Sequence, residues 1–425
     1  MTRQLVIHSN MYFVGEDMQN TILKRIVDAN MFNYPNVPST ISGGDVAYTK
    51  AFIKNYNFGS GNTNMGIKNM TINGNGYAFL LDGNQNKTNP CVHFKRSTNI
   101  FLDMVKVLDS MNFHVWFRDC SNITVRSVEI NGKSSNPIND RNNQDGLHFQ
   151  GVNDVYVEYV KAMETGDDSL VIRSDDNRAT WNVYVKYAEL KNVGSGRGLL
   201  LDAESNMDCY NVRIDKVIVY GYPRTGIAIQ HSQEDLTDGS GTLYNIRIGE
   251  AIVYGYGLSN ASDLRALYIS SRPASLYSSS RGTQYIHDVT IDKFVFDASS
   301  TTSSTRLQKI QRGILIEGAY AIRINNFQIL AKFNQGEDIK IVECKIVEFK
   351  TVNPIILNNG IIRRRTIGGW DLIYLNNSQY VTLSNITIPK IDTNNDGIPD
   401  SNQGGTGLSI AGESKYITAV DCAFA

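Results

Sequence analysis

Asp145, Asp167 and Asp168 are the residues of this 425-residue chain best suited to chemistry. "GDD" spans Gly166 to Asp168 and runs straight into the alternating apolar text "SLVIR", a position strands seldom give to aspartate. Adjacent carboxylates repel when both are ionised, so such a pair is either turn chemistry or a reacting site. A protonated acid beside an ionised carboxylate can release a leaving oxygen and activate water, as glycosidic cleavage requires. An aspartate that only bonds its own backbone in a turn is the structural alternative at each position.

Those acids can cooperate only if something stacks them. The phrases "DGLHFQ" from Asp145, "DSLVIR" from Asp168, "RGLLLD" from Arg197, "TGIAIQ" from Thr225, "RALYIS" from Arg265 and "RGILIE" from Arg312 share one register. Between them a second alternating phrase recurs, marked by Asn122, Asn153, Asn182, Asn211 and Asn245 at spacings of 31, 29, 29 and 34. Two short strands per unit, always in the same order and parted by Gly, Asn and Asp turns, predict a parallel β-helix: an all-β solenoid whose rungs share one core. An antiparallel sandwich also alternates and is the rival fold.

In the predicted solenoid, Leu147/Phe149, Leu170/Ile172, Leu199/Leu201, Ile227/Ile229, Leu267/Ile269 and Ile314/Ile316 point inward. His93, Trp116, His148, Val171, Leu200, Ala228 and Tyr268 form one outward row, and Lys95, Arg118, Gln150, Arg173, Asp202, Gln230 and Ser270 another. Rungs about 4.8 Å apart make residues roughly 30 positions apart neighbours, so Asp168 lies over Asp145. Candidate substrate contacts are Trp116, His148, Gln150, Arg173, Arg197, Asp202, Arg224 and Gln230. Acids mixed with arginines suit a polar or anionic sugar.

"NQDG" (Asn143 to Gly146), "GDD" and "GRG" (Gly196 to Gly198) resemble the ordered motifs of the polygalacturonase-type, family 28-like glycoside hydrolases of the pectin-lyase-like superfamily, which are right-handed parallel β-helices. The interval of 22 from Asp145 to Asp167 is similar to the family's spacing. The resemblance implies that Asp167 is the general acid, that Asp145 and Asp168 hold and deprotonate the attacking water, and that the anomeric carbon inverts. Arg197 replaces the family's histidine between the glycines, and Ala228 and Gln230 stand where the family grips galacturonate with arginine and lysine. The opening "SNMYFVGEDMQNTILKR" resembles the first rungs of phage tailspike depolymerases, which implies a homotrimer.

Bulk properties set the remaining expectations. A net charge of −1 gives no global pull toward nucleic acid or an anionic membrane, and no apolar run reaches the 18 or more residues of a membrane helix. The five scattered cysteines, Cys91, Cys120, Cys209, Cys344 and Cys422, have no zinc spacing and read as small buried hydrophobes. The N-terminal text lacks the apolar core of a secretory signal, and neither end reads as a capping helix. A single helical domain over 1–425 is expected, extracellular or on a virion surface, with no required cofactor. Over 386–425, among the last rungs, "DTNNDGIPD" predicts a structural calcium loop through Asp392, Asn394, Asp396 and Asp400, with an ordinary polar turn as the alternative. The rivals to a hydrolase are a polysaccharide lyase on the same fold and a glycan-binding tail fibre or adhesin without activity.

Overall fold

The computed structural model describes residues 4–26, 51–76, 90–132, 144–175, 177–194, 196–203, 206–221, 224–231, 241–255, 263–271, 286–298, 310–331, 339–342, 355–364, 373–388, 408–412 and 414–424. The proposed calcium ligands and Cys344 lie outside the described residues. By its contacts the chain forms two compact units, Met1–Gly196 and Arg197–Ala425.

Each unit repeats one coil with two kinds of strand. In the first unit the short strands Val92–Lys95, Val115–Arg118, Leu147–Gln150 and Leu170–Arg173 stack side by side in one sheet. The long strands Thr98–Leu108, Ser121–Asn131, Asn153–Thr165 and Thr180–Asn192 stack in the other. The second unit continues both types, as in Thr225–His231 and Leu243–Tyr254. Pairing between named strands is parallel throughout, which excludes the sandwich and makes the fold a right-handed parallel β-helix.

Local sequence explains the long strands. Ser121–Asn131 buries Ile123 and Val125, skips a position, then buries Val128 and Ile130. Alternation holds within each half, and the extra residue turns the chain so that both halves face one core. A left-handed residue near the start of each long strand makes another corner. Asn122, Asp154, Asn182, Asn211 and Asn245 have φ between 52° and 56°. Asn and Asp tolerate that region best, because a short polar side chain can bond the nearby backbone. At that rung the left-handed residue is Asp154, one place after the repeat marker Asn153.

Inward positions match the predicted ladder: Leu147 pairs with Leu170 and Phe149 with Ile172, all fully buried. Phe94, Phe117 and Phe149 stack through three rungs, with centroids 5.6 and 5.2 Å apart. Burying each such side chain contributes about 1.5–3 kcal/mol, repeated at every rung. Cys91, Cys120 and Cys209 are buried free thiols, and burial pushes Cys91 and Cys120 up to about 12, which makes them inert packing groups. No helix among the described residues is long and apolar enough to cross a membrane.

Candidate active site

The three aspartates sit where two adjacent rungs of the first unit enter the short-strand sheet. Asp145 lies two residues before Leu147–Gln150, and Asp168 two before Leu170–Arg173. Since Leu147 pairs with Leu170, the register brings Asp145 beside Asp168. Carboxylate oxygens of Asp145, Asp167 and Asp168 all lie within 4.8 Å of one another.

Backbone bonds hold the cluster from both sides. The main-chain N–H of His114 and its ring Nδ1 donate to the Asp145 carbonyl at 2.9 and 2.7 Å. Gly146 N–H donates to the Asp168 carbonyl at 2.8 Å. The N–H groups of Gly166 and Asp167 converge on the Gln144 carbonyl at 3.1 and 3.3 Å. Thr165 Oγ1 lies 2.7 Å from Ser169 Oγ and donates to the Asp167 carbonyl at 3.3 Å, closing the turn that carries both acids. The acids are thus presented by a fixed frame.

Their environments differ. Asp145 is buried, and both its oxygens are engaged: His148 Nδ1 donates to Oδ2 at 2.6 Å and Asp168 N–H to Oδ1 at 3.1 Å. Asp168 is buried as well, whereas Asp167 is half-buried and so the most open of the three. A histidine and a backbone N–H on one carboxylate offset much of the repulsion that crowding would otherwise cause. Burial holds His114 down to about 4, so it is neutral when it contacts Asp145.

Gly196 closes the space beside the acids. A Cβ there would lie 2.4 Å from Asp167 Oδ1 and 2.6 Å from Asp168 Oδ1, so only glycine leaves both carboxylates where they are.

Other expected contacts divide. Trp116 and His148 occupy the outward row yet are buried, which corrects their assignment as surface contacts. His93 stacks on Trp116 at 4.2 Å, and Phe113 packs between Trp116 and His148 at 4.6 and 4.9 Å. From this buried position His148 reaches Asp145 Oδ2. Gln150 and Arg173 pair in register at the far end of these strands, about 16 Å along the chain direction from the aspartates. Beside them Arg118 Nε bonds Asp175 Oδ2 at 2.6 Å, while burial and the nearby Asp175 push the Asp119 carboxyl up.

In the second unit, Arg224 is exposed and Arg197 and Gln230 are half-buried. Asp202 pairs in register with Gln230 but is 1% exposed, which removes it as a sugar contact. Ala228 is fully buried too. Sequence reasoning missed His114, whose only signal is its position directly before "VWFR" in the shared register.

Fold and site together define the class: a right-handed parallel β-helix with three clustered aspartates at the mouth of adjacent rungs. Residues 40–220 match the family model described as Glycosyl hydrolases family 28. An endo-polygalacturonase of Pectobacterium carotovorum subsp. carotovorum is 28% identical over 131 residues, 31% of this chain and 30% of that protein. The chain thus matches less than a third of that curated relative's length. The solved polygalacturonase of Erwinia carotovora ssp. carotovora is similar over 91% of this chain and 85% of that one, at 15% identity and a TM-score of 0.51. The pre-mature gene product 12 of bacteriophage phi29 is similar over 99% of this chain and 50% of that one, at 12% identity and a TM-score of 0.53. At such identities the two solved structures speak for the fold alone.

Proposed function

We propose that this protein is a glycoside hydrolase acting on a polysaccharide, with pectin-type galacturonans the first substrate class to test. The observation that carries the reading is the convergence of Asp145, Asp167 and Asp168, oxygens within 4.8 Å, in the stretch that matches family 28. Asp167, the most open, is the general acid: its carboxyl proton passes to the glycosidic oxygen as the bond to the anomeric carbon breaks. Water adds its oxygen to that carbon and gives its proton to the Asp145/Asp168 pair.

The oxygens lie closer than the roughly 6.5–9.5 Å usual between the carboxyl groups of inverting enzymes. Direct attack by Asp145 is nonetheless disfavoured, because His148 and the Asp168 N–H already occupy its oxygens. Holding water suits it better, so inversion is the expected outcome. Ala228 and Gln230 offer no cationic grip on a sugar carboxylate, which turns the search toward modified galacturonans and bacterial surface glycans as well. Secretion or display on a virion, and assembly as a homotrimer, belong to the same proposal; sedimentation of the purified protein tests the trimer.

The deciding experiment measures reducing ends released from galacturonans and bacterial surface glycans by the wild type and by Asp167→Asn. The reading expects release by the wild type, loss in the variant and retained glycan binding. Unsaturated, ultraviolet-absorbing products would replace hydrolysis by a lyase reaction. Glycan binding without shortening of any polymer would leave a non-catalytic fibre.

A further inference from the structure

The second unit carries a feature that the aspartate site does not use. On its long-strand sheet, Tyr210, Tyr244, His287 and Tyr320 stack from rung to rung, with centroids 4.9, 5.4 and 4.8 Å apart. The residue after each ring is a left-handed corner: Asn211, Asn245, Asp288 and Ala321, with φ of 53°, 52°, 53° and 52°. Asn245 Nδ2 donates to Asn211 Oδ1 at 2.6 Å, so the corner amides form a ladder. The next corner, Asp288, carries a carboxylate, and Ala321 after it brings no hydrogen-bonding side chain at all. Alanine is disfavoured at positive φ and brings no amide to compensate. Beside it a groove of about 640 Å³ is lined by Asn245, Asp288, Ala321, Arg323 and Asn325, among others.

Charge within the groove is uneven. Arg247 Nε bonds Asp292 Oδ2 at 2.9 Å, and His287 Nδ1 lies 2.8 Å from Asp288 Oδ2. Arg323 is exposed and has no ion pair among the described residues. A guanidinium presents a planar fork that fits a carboxylate with two parallel hydrogen bonds. Asn245, Asp288 and Asn325 add donors and acceptors for hydroxyl groups.

We propose that this groove is a second glycan-binding site, which holds a segment of acidic polysaccharide with one sugar carboxylate on Arg323 and sugar hydroxyls on the corner side chains. The proposal rests on the polysaccharide reading above and adds a non-catalytic hold on the polymer. Ala321 lines the groove with a side chain too short to occupy it, at a positive φ that alanine disfavours.

Two variants test it, Ala321→Asn and Arg323→Ala. Asparagine at 321 projects a larger polar side chain into the groove and is better tolerated at that positive φ, so Tm stays at or above the wild-type value. Migration of each protein is followed in native gels containing polygalacturonate or fully methyl-esterified pectin, and hydrolysis of short galacturonate oligomers is measured separately. Each variant is expected to lose at least five-fold in retardation by polygalacturonate, to change little with the esterified polymer, and to keep the wild-type rate on any oligomer the wild type cleaves. Unchanged retardation in the variants, or a wild type that polygalacturonate does not retard, overturns the proposal. Absence of reducing-end release would count against the hydrolase reading alone, because retardation is read without turnover.

Discussion

His148 Nδ1 lies 2.6 Å from Asp145 Oδ2, three residues along the same rung, and both side chains are buried. Alternation along the strand would put His148 on a face open to sugar, yet the pad of Phe113 and Trp116 covers it. Its task is to fix the charge and direction of one carboxylate. His148→Ala should therefore lower kcat by about 10- to 100-fold, the effect of losing one hydrogen bond to a charged group, and leave KM nearly unchanged. A rise in KM at constant kcat would return His148 to the sugar-binding residues.

Gly196→Ala should be disproportionately harmful to activity. Its Cβ would fall 2.4 Å from one essential oxygen and 2.6 Å from another, so both aspartates must move. Displacement of a reacting group by about 1 Å can cost on the order of 100-fold. Initial rates should drop by about that factor while far-ultraviolet circular dichroism still reports the β-helix.

Stability should fall with acid in a window set by His114. Its folded value is about 4 against 6.5 for the free side chain, because burial disfavours the imidazolium. The unfolded chain then takes up the proton first, so the stabilisation is complete above pH 6.5 and drains away as pH falls toward 4. The full effect is about 3 kcal/mol. Urea unfolding at pH 7 and pH 4.5 should show the loss, and His114→Gln should flatten it; an unchanged slope in the variant would assign the loss to other groups.

Three close carboxylates could also ligate a divalent cation. On the hydrolase reading they are acid and base, so dialysis against EDTA should leave the rate on polysaccharide within about two-fold of the untreated protein, measured as reducing ends per minute. Loss of activity restored by calcium would make the aspartates cation ligands instead.

Much of the architecture was legible in one dimension. Period-2 apolar text in a constant order predicts stacked parallel rungs, and the spacing of Asp145, Asp167 and Asp168 then places them on neighbouring rungs. The corner position was legible only to within one residue: Asn153 and Asp154 are both plausible corner residues by type, and φ decides for Asp154.

What the amino-acid order determined by itself was the face of the sheet on which each side chain stands, because a strand's side chains alternate whatever surrounds them. Whether that face is wet was a tertiary decision. Trp116, His148 and Asp202 all stand on the outer side and are nevertheless buried, which no local period encodes. The role of His114 and the groove beside Ala321 were likewise decided in three dimensions, where groups from different rungs meet.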